Sequence, residues 1–206
     1  MSEADFFSDE AKRKSAASVR VVEQQTSAEV VVAVRPRSGH YGVLAYHFGI
    51  GLAALVVLYL LVAPQLYSVT AIVLDGVLAF AFGALVAANF HTLLRALSRK
   101  ETLTGNVNGA ARAAFFDLGI SRTSGRNGVL VYVSLFERRC VVLTDIGIDP
   151  SACGPGFATA NSNLEEAVKR RDLNAFQQAL ESLGPVLCVA HPRSEDDVNE
   201  LPDEVQ

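Results

Sequence analysis

The chain has 206 residues, of which 50% are hydrophobic, and a formal net charge of −4. Its last stretch, 195–206, carries six acidic residues and no basic one, which leaves +2 for the rest of the chain. So small an excess of positive charge excludes the footprint of a nucleic-acid-binding protein, and we expect no nucleic-acid partner. The three cysteines, Cys140, Cys153 and Cys188, have no CxxC spacing, which indicates reduced thiols in a cytosolic domain.

The first predicted elements are a helix and a strand. Ser8 followed by Asp9 and Glu10 is typical of a helix N-terminus, and the helix is expected to run to about residue 25. The sequence EVVVAVR at 29–35 then predicts a strand that Pro36 ends. One short strand cannot form a sheet alone, so it needs a partner from later in the chain.

Two apolar stretches, 43–63 and 69–88, come next and are separated by only five residues. Each has the length of about 20 residues that a helix needs to cross a hydrocarbon core of about 30 Å. So short a connection predicts a transmembrane helical hairpin over 43–90, with both flanks on the same side of the membrane. Arg35 and Arg37 precede the first stretch, and Arg95, Arg99 and Lys100 follow the second. The five residues that connect the two stretches carry no charge. The positive-inside rule therefore predicts a multi-pass protein of the cell inner membrane with both termini in the cytoplasm.

Small residues and one acid share a face of the second apolar stretch. Asp75, Ala79 and Gly83 are spaced by four, and Gly49 and Ala53 form a matching stripe in the first stretch. Facing stripes of small residues let two helix backbones approach closely. An acid near a helix centre costs about 2.5–3.5 kcal/mol on the insertion scale. We therefore expect Asp75 to point at the first helix or at a neighbouring copy of the chain.

The role of this acid stays open between several interpretations. Tyr59 lies at the depth from which it could donate a hydrogen bond to Asp75. Asp75 is then an ion or proton site, an oligomer contact, or an acid satisfied by Tyr59 and water near the outer surface. Two helices cannot enclose a pathway, so transport would need oligomerisation. The expected partners are the lipid bilayer and a membrane protein or a second copy of this chain.

Beyond the hairpin, the chain alternates between helices and two strands. Residues 93–100 are expected to extend the second membrane helix, 105–109 to interrupt it, and 110–118 to resume as a helix. The runs VLVYVSL (129–135) and RRCVVLT (138–144) predict an antiparallel pair of strands.

A helix over 164–183 and a short edge strand over 186–189 complete the predicted elements. The whole is an α/β fold: a small mixed β-sheet flanked by helices and interrupted by the two-helix transmembrane hairpin. Its soluble domain is discontinuous, comprising 1–42 and 91–192. The remaining stretch, 193–206, is expected to be an acidic disordered tail, either a partner-binding segment or simply a solvated end.

Carboxylates at strand ends are the candidates for metal or phosphoryl chemistry. Asp145 and Asp149 follow a predicted strand, and Glu29 would join them if the first strand pairs beside the later two. Such oxygen ligands suit Ca²⁺ or Mg²⁺, and Arg138 could face a phosphate. The same carboxylates equally serve to cap turns or to begin a strand, so a catalytic site and a divalent cofactor both stay open.

Four strings in the sequence together resemble the TPM domain family: TSAE at 26–29, GVLVYVSLFERR at 128–139, TDIG at 144–147 and NELPDE at 199–204. The last is similar to that of a branch of small bacterial membrane proteins with a membrane hairpin inside the domain. The resemblance implies a role in membrane-protein maintenance, or the acid phosphatase activity described for a plant thylakoid relative. Family domains typically lie outside the cytoplasm, whereas the charges here predict the cytoplasm. The expected function is a non-catalytic interaction or accessory module for membrane-protein assembly or maintenance. The alternative is a metal-assisted, acid-phosphatase-like hydrolase.

Overall fold

The computed structural model describes residues 8–193, 199–201 and 205. Its elements in chain order are α1 (Asp9–Glu23), β1 (Glu29–Arg35), α2 (Gly42–Val62), α3 (Val69–Asn89), α4 (His91–Leu97), α5 (Lys100–Asp117), a 3₁₀ turn (Ile120–Arg122), β2 (Gly128–Ser134), β3 (Arg139–Thr144), α6 (Pro155–Arg170), α7 (Leu173–Glu181) and α8 (Leu183–Cys188). The chain divides into two compact units, one formed by 1–38 with 104–206 and the other by 39–103.

The sheet of the first unit has the strand order β1-β2-β3. β1 runs parallel to β2, with Glu29 opposite Gly128, and β2 runs antiparallel to β3, with Val129 opposite Thr144. The three strands follow from β-branched and apolar runs, and Pro36 directly follows β1 because it cannot donate to a ladder. The first strand therefore does find its partner on the far side of the hairpin.

Alternate residues of β1 supply two separate cores, as the period of two in a strand requires. Val30 and Val32 pack on one face with apolar residues of α1, α6, α7 and α8. Val31 and Ala33 pack on the other face against α5. Helices thus cover both faces of a small mixed sheet, and the predicted α/β fold class is confirmed.

The helix predicted over 164–183 is in fact two helices, so that prediction was wrong. Arg171 ends α6 with a left-handed backbone, φ 57°. Asp172 then begins α7, since its side chain accepts a hydrogen bond from Ala175 N at 3.0 Å. A left-handed C-cap followed at once by an N-cap side chain turns the chain between two helices.

The edge strand predicted over 186–189 was also wrong, because these residues fall in and just after α8. Leu183 and Leu187 are spaced by four and both are completely buried in the first core. A spacing of four places both side chains on one face of a helix, and it also places them on one face of a strand, so this spacing alone does not decide between the two.

The interruption predicted at 105–109 does not occur, since α5 runs through it. Gly105 and Gly109 lie on the exposed side of α5. Val107 and Ala111 are completely buried against the sheet on the other side. Burial of that apolar face outweighs the cost of about 0.5–1 kcal/mol that each helical glycine imposes.

The second unit is built on the two apolar helices, α2 and α3. Each has 21 residues, with mean hydropathies of 2.1 and 2.3, and both are long and apolar enough to cross a membrane. Within an 18-residue apolar window of each helix, only 17% of α2 and 11% of α3 is buried within the chain, so most of these side chains face outward. The predicted continuous extension of the second helix is wrong, because Phe90 leaves the helical region with φ −97° and ψ 87° before α4 begins.

Candidate functional site

Glu29 and Asp145, two of the predicted site residues, lie at the same edge of the sheet. Glu29 begins β1 opposite Gly128, and Asp145 follows β3, where its backbone N–H donates to the Gly128 carbonyl at 2.9 Å. Both side chains are buried, with 4% and 5% of their surface exposed. The sequence prediction that β1 would bring Glu29 beside the later strands therefore corresponds to the geometry of this edge.

The Asp145 carboxylate is engaged by groups of the chain itself. Its Oδ2 lies 3.0 Å from Arg126 Nε, an ion pair whose alignment falls short of a hydrogen bond. Its Oδ1 accepts from the Ile146 backbone N–H at 2.8 Å. Arg126 also donates through Nη1 to the Ser121 carbonyl at 2.6 Å. Asp145 thereby holds the loop that precedes β2 against the end of β3.

Gly147 completes this contact by allowing two backbones to touch. Its N–H donates to the Arg126 carbonyl at 2.9 Å. A Cβ at this position would lie 2.5 Å from the same carbonyl oxygen and 2.6 Å from that of Gly125. Only glycine fits so close an approach. The TDIG string is therefore a structural clamp that joins Asp145 and Gly147 to the 125–126 turn.

The residues around Glu29 and Asp145 do not fit a divalent cation. Ca²⁺ and Mg²⁺ need several oxygen ligands around one point, and no group of three or more acidic, histidine or cysteine side chains is so placed among the described residues. Arg126 already supplies the positive charge that faces Asp145. One Glu29 oxygen accepts from the Leu201 backbone N–H at 3.3 Å. Asn127 Oδ1 is a buried oxygen without a hydrogen-bond donor, and one such atom does not complete a coordination shell.

Asp149 and Arg138 are the other two predicted site residues. Asp149 is exposed, and its Oδ1 accepts from the Ser151 N–H at 2.9 Å and from its hydroxyl at 2.6 Å. These hydrogen bonds hold the pKa of Asp149 below its usual value. Arg138 precedes β3 whereas Asp145 follows it, and the rise of a strand puts them roughly 20 Å apart. Arg138 and Asp145 therefore cannot act on one phosphoryl group.

A buried polar network at the opposite edge of the sheet was not predicted. Ser38 Oγ donates to Ser134 Oγ at 2.7 Å and lies 3.0 Å from Tyr132 Oη. Glu137 accepts from the Ser38 backbone N–H at 3.0 Å and from the Ser134 hydroxyl. Tyr132 and Ser134 are polar residues on one face of a strand that is otherwise apolar. This pattern in the sequence could have indicated a buried hydrogen-bond network. The network closes the carboxyl ends of β1 and β2 with hydrogen bonds.

The two apolar helices touch along a line of small residues. A Cβ on Gly83 would lie 3.1 Å from Gly49 Cα, and a Cβ on Gly49 would lie 2.7 Å from the Phe80 carbonyl oxygen. Gly76 and Ala87 are also buried on this line. Ala53 and the predicted contact residue Ala79 are half-buried beside it. The glycine pair thus sets how closely the helices approach.

Asp75 lies beside this line of small residues, and its side chain does not point at α2. Its side chain is exposed, whereas its neighbour Gly76 is buried and a Cβ there would lie 3.0 Å from Val57. Tyr59 is also 66% exposed. Among the described residues no hydrogen bond joins Tyr59 to Asp75. The Asp75 side chain therefore faces away from α2, and its contact with a neighbouring molecule stays a prediction.

The predicted acidic tail is described only in part. Glu195, Asp196 and Asp197, with Asp203 and Glu204, lie outside the described residues. The described part, 199–201, contacts Ser124 through Glu200 and Glu29 through Leu201.

Comparisons with known proteins show the fold and no more. No family model matches the chain, and no curated protein sequence matches it. A solved structure similar to it is the NMR structure of BA42 protein from the psychrophilic bacterium Bizionia argentinensis, with a TM-score of 0.57 and 16% identity. The match covers 96% of this chain and 92% of that one. The chain is thus of the class of mixed α/β proteins with two helices that could span a membrane.

Proposed function

We propose that this protein is a membrane-anchored interaction module of the TPM type, which assists the assembly or maintenance of membrane-protein complexes. Its hairpin crosses the cell inner membrane, and both termini lie in the cytoplasm. The four strings that resemble the TPM family support the family, and the charges that flank the hairpin support the orientation.

The observation that carries this proposal is the outward position of Asp75 on α3. A carboxyl costs about 2.5–3.5 kcal/mol at the centre of a membrane helix and less nearer its ends, and such groups almost always find a polar partner. Asp75 is the seventh of the 21 residues of α3. Within the described part of the chain Asp75 has no hydrogen bond, and α2 packs against Gly76 instead. A group from another membrane protein, or from a second copy of this chain, is therefore expected to meet Asp75.

Photo-crosslinking in native membranes tests this proposal. Leu78 and Val77 are both exposed on α3. Leu78, three residues after Asp75, lies on nearly the same face of the helix, whereas the Val77 side chain points about 100° away from that of Leu78. A photo-reactive residue at 78 should give defined products that Asp75→Leu abolishes and Asp75→Asn partly retains. The same residue at 77 is the matched control, and its products should not depend on Asp75. Products at 78 that persist unchanged in Asp75→Leu would exclude a partner at this carboxyl.

The orientation has its own test. A reporter enzyme that is active only outside the cytoplasm should be silent when fused after Gln206 and active when inserted between α2 and α3. Activity of the fusion after Gln206 would reverse the proposed topology.

No contact among the described residues favours the alternative, a metal-assisted phosphatase. Asp145 faces Arg126, and Arg138 lies at the other end of β3 from Asp145. We expect the purified protein and its Asp145→Asn variant to behave alike on a generic phosphomonoester with Mg²⁺, Ca²⁺, Mn²⁺ or a chelator. A divalent-dependent activity that Asp145→Asn abolishes would replace the interaction module with an enzyme.

A further inference from the structure

The turn before β2 holds a carboxylate from the far end of the chain. The Ser124 backbone N–H donates to both carboxylate oxygens of Glu200, at 3.0 and 3.2 Å, and the Ser124 hydroxyl donates to one of them at 2.5 Å. A carboxylate that receives one amide and one hydroxyl is held by charge-assisted hydrogen bonds. The turn itself is fixed, because Arg126 N donates to the Thr123 carbonyl at 3.1 Å and the Asp145–Arg126 ion pair lies beside it.

The next residue, Leu201, is held by different chemistry. Its backbone N–H donates to Glu29 Oε2 at 3.3 Å and to Asn199 Oδ1 at 3.2 Å. Its side chain packs, partly buried, against the core cluster that includes Val31 and Leu130. The surface formed by Ser124, Glu29 and the apolar cluster thus contacts three features of one short segment. These are a carboxylate, the backbone N–H of the next residue, and the apolar side chain of that residue.

We infer that Ser124, Glu29 and the adjoining apolar cluster form a binding site for a Glu-Leu segment of another protein, and that Glu200 and Leu201 occupy this site as an intramolecular competitor. This inference rests on the proposed function, because it names the chemistry of a partner for the interaction module. It concerns the soluble unit alone, so it stands or falls separately from the partner at Asp75.

The occupant is held loosely enough to exchange. Glu200 is exposed in its docked position, and Leu201 is half-buried. A tethered segment competes with an effective concentration of the order of millimolar. A partner segment must therefore bind more tightly than the chain's own segment, or arrive on a protein that is held at the same membrane.

The charge of Glu200 contributes to docking. The two hydrogen bonds from Ser124 hold the pKa of Glu200 below its usual value, because they favour the charged carboxylate. A group with a lowered pKa in the docked state stabilises that state above its ordinary pKa. The contribution is lost as the pH falls through the lowered value. Both the native segment and a partner segment should therefore dissociate at acidic pH.

The test uses the full-length protein in detergent and a fluorescein-labelled peptide, acetyl-Asn-Glu-Leu-Pro-amide, followed by fluorescence anisotropy. In Glu200→Ala with Leu201→Ala the site is emptied, and the peptide should bind at least ten-fold more tightly than to the unsubstituted protein. A peptide with Gln in place of Glu should bind at least ten-fold more weakly, as should the original peptide to the emptied protein carrying Ser124→Ala. Hydrogen exchange of the Val131 and Val133 amides provides the folding control.

Three outcomes would overturn the inference: no binding to the emptied but folded protein, equal binding to the emptied and unsubstituted proteins, or equal binding of the Glu and Gln peptides. Should the double variant fail to fold, the conservative Glu200→Gln variant replaces it, and faster hydrogen exchange at the Ser124 amide is then expected. Unchanged exchange at that amide would contradict the docking contact. A dimer formed by exchange of this segment between two copies, seen by sedimentation, would contradict a partner of another kind.

Discussion

Single residues hold the edge where the strands and the 123–127 turn meet, and Gly147 is the most constrained of them. A methyl group there would lie 2.5 Å from the Arg126 carbonyl oxygen, which is backbone and cannot rotate away. We predict that Gly147→Ala lowers the free energy of unfolding by about 1–3 kcal/mol, the usual cost of overpacking. Chemical unfolding followed by circular dichroism checks this.

The neighbouring residue gives the control for that substitution. Ile146 is 84% exposed, so Ile146→Ala should change the free energy of unfolding by no more than about 0.5 kcal/mol. If both variants unfold alike, the close approach of Gly147 to the turn does not contribute to stability.

The partner of Asp145 shows what residue patterns leave undetermined. The string TDIG marks the end of a strand. From that pattern alone, Asp145 could equally be a metal ligand or a residue that caps a turn. The decision depends on Arg126, which precedes the strand pair and has a left-handed backbone, φ 52°. Because no periodicity links Arg126 to Asp145, the ion pair could not be predicted from spacing.

At the scale of one element, α5 carries two glycines that it does not use for close packing. Nothing lies within 4 Å of a Cβ built on Gly105 or Gly109. Alanine removes the backbone freedom of glycine in the unfolded chain, so Gly105→Ala should raise the free energy of unfolding by about 0.5–1 kcal/mol. Thermal unfolding in detergent measures the shift. A loss of stability would indicate that a contact outside the described chain needs this glycine.

In the hairpin, α2 contains one glycine that is needed for close packing and one that is not. A Cβ on Gly49 would lie 2.7 Å from the Phe80 carbonyl oxygen, whereas nothing lies within 4 Å of one on Gly51. Gly49→Ala should therefore force α2 and α3 apart, and Gly51→Ala should not. The spacing between spin labels at Tyr59 and Leu78, measured by electron paramagnetic resonance, should lengthen only in the first variant. Equal spacing in both would remove the glycine pair as the determinant of helix approach.

Periodicity predicted the elements better than it predicted their faces. Both apolar helices, β1 and the antiparallel strand pair begin and end close to where composition places them, because long apolar runs and Pro36 mark them strongly. A spacing of four assigns Asp75 and Gly83 to one stripe. Gly83 does contact Gly49, but at the level of Asp75 the contact line passes through Gly76, one residue or about 100° away. Steric fit between two helices decides that rotation, and a single sequence does not contain it.

At the scale of the whole molecule, the soluble unit is assembled from two separate pieces of chain. β1 contributes to both cores, yet it lies before residue 39, and β2 and β3 lie after residue 103. We predict that replacing 39–103 by a flexible Gly/Ser linker yields a water-soluble monomer with the same sheet. Gel filtration and hydrogen exchange at Val31 and Val131 test this.

The matched control for that design removes 8–38 from the linked protein. Without β1 the sheet loses its parallel pair, and both cores lose residues that are almost completely buried. This shortened protein should not fold. If it folds as well as the linked protein, β1 is not part of the cooperative unit.

The parallel pairing of β1 with β2 also sets an order of events during synthesis. Glu29 pairs with Gly128, so about 100 residues must be translated in between, which takes roughly 5–20 s at 5–20 residues per second. During that interval the segment EVVVAVR lacks its neighbouring strand, while the two apolar helices α2 and α3 are synthesised. An unpaired strand of this composition is prone to aggregate. Shielding of 29–35 until residue 134 has been synthesised is therefore expected to raise the fraction of chains that fold.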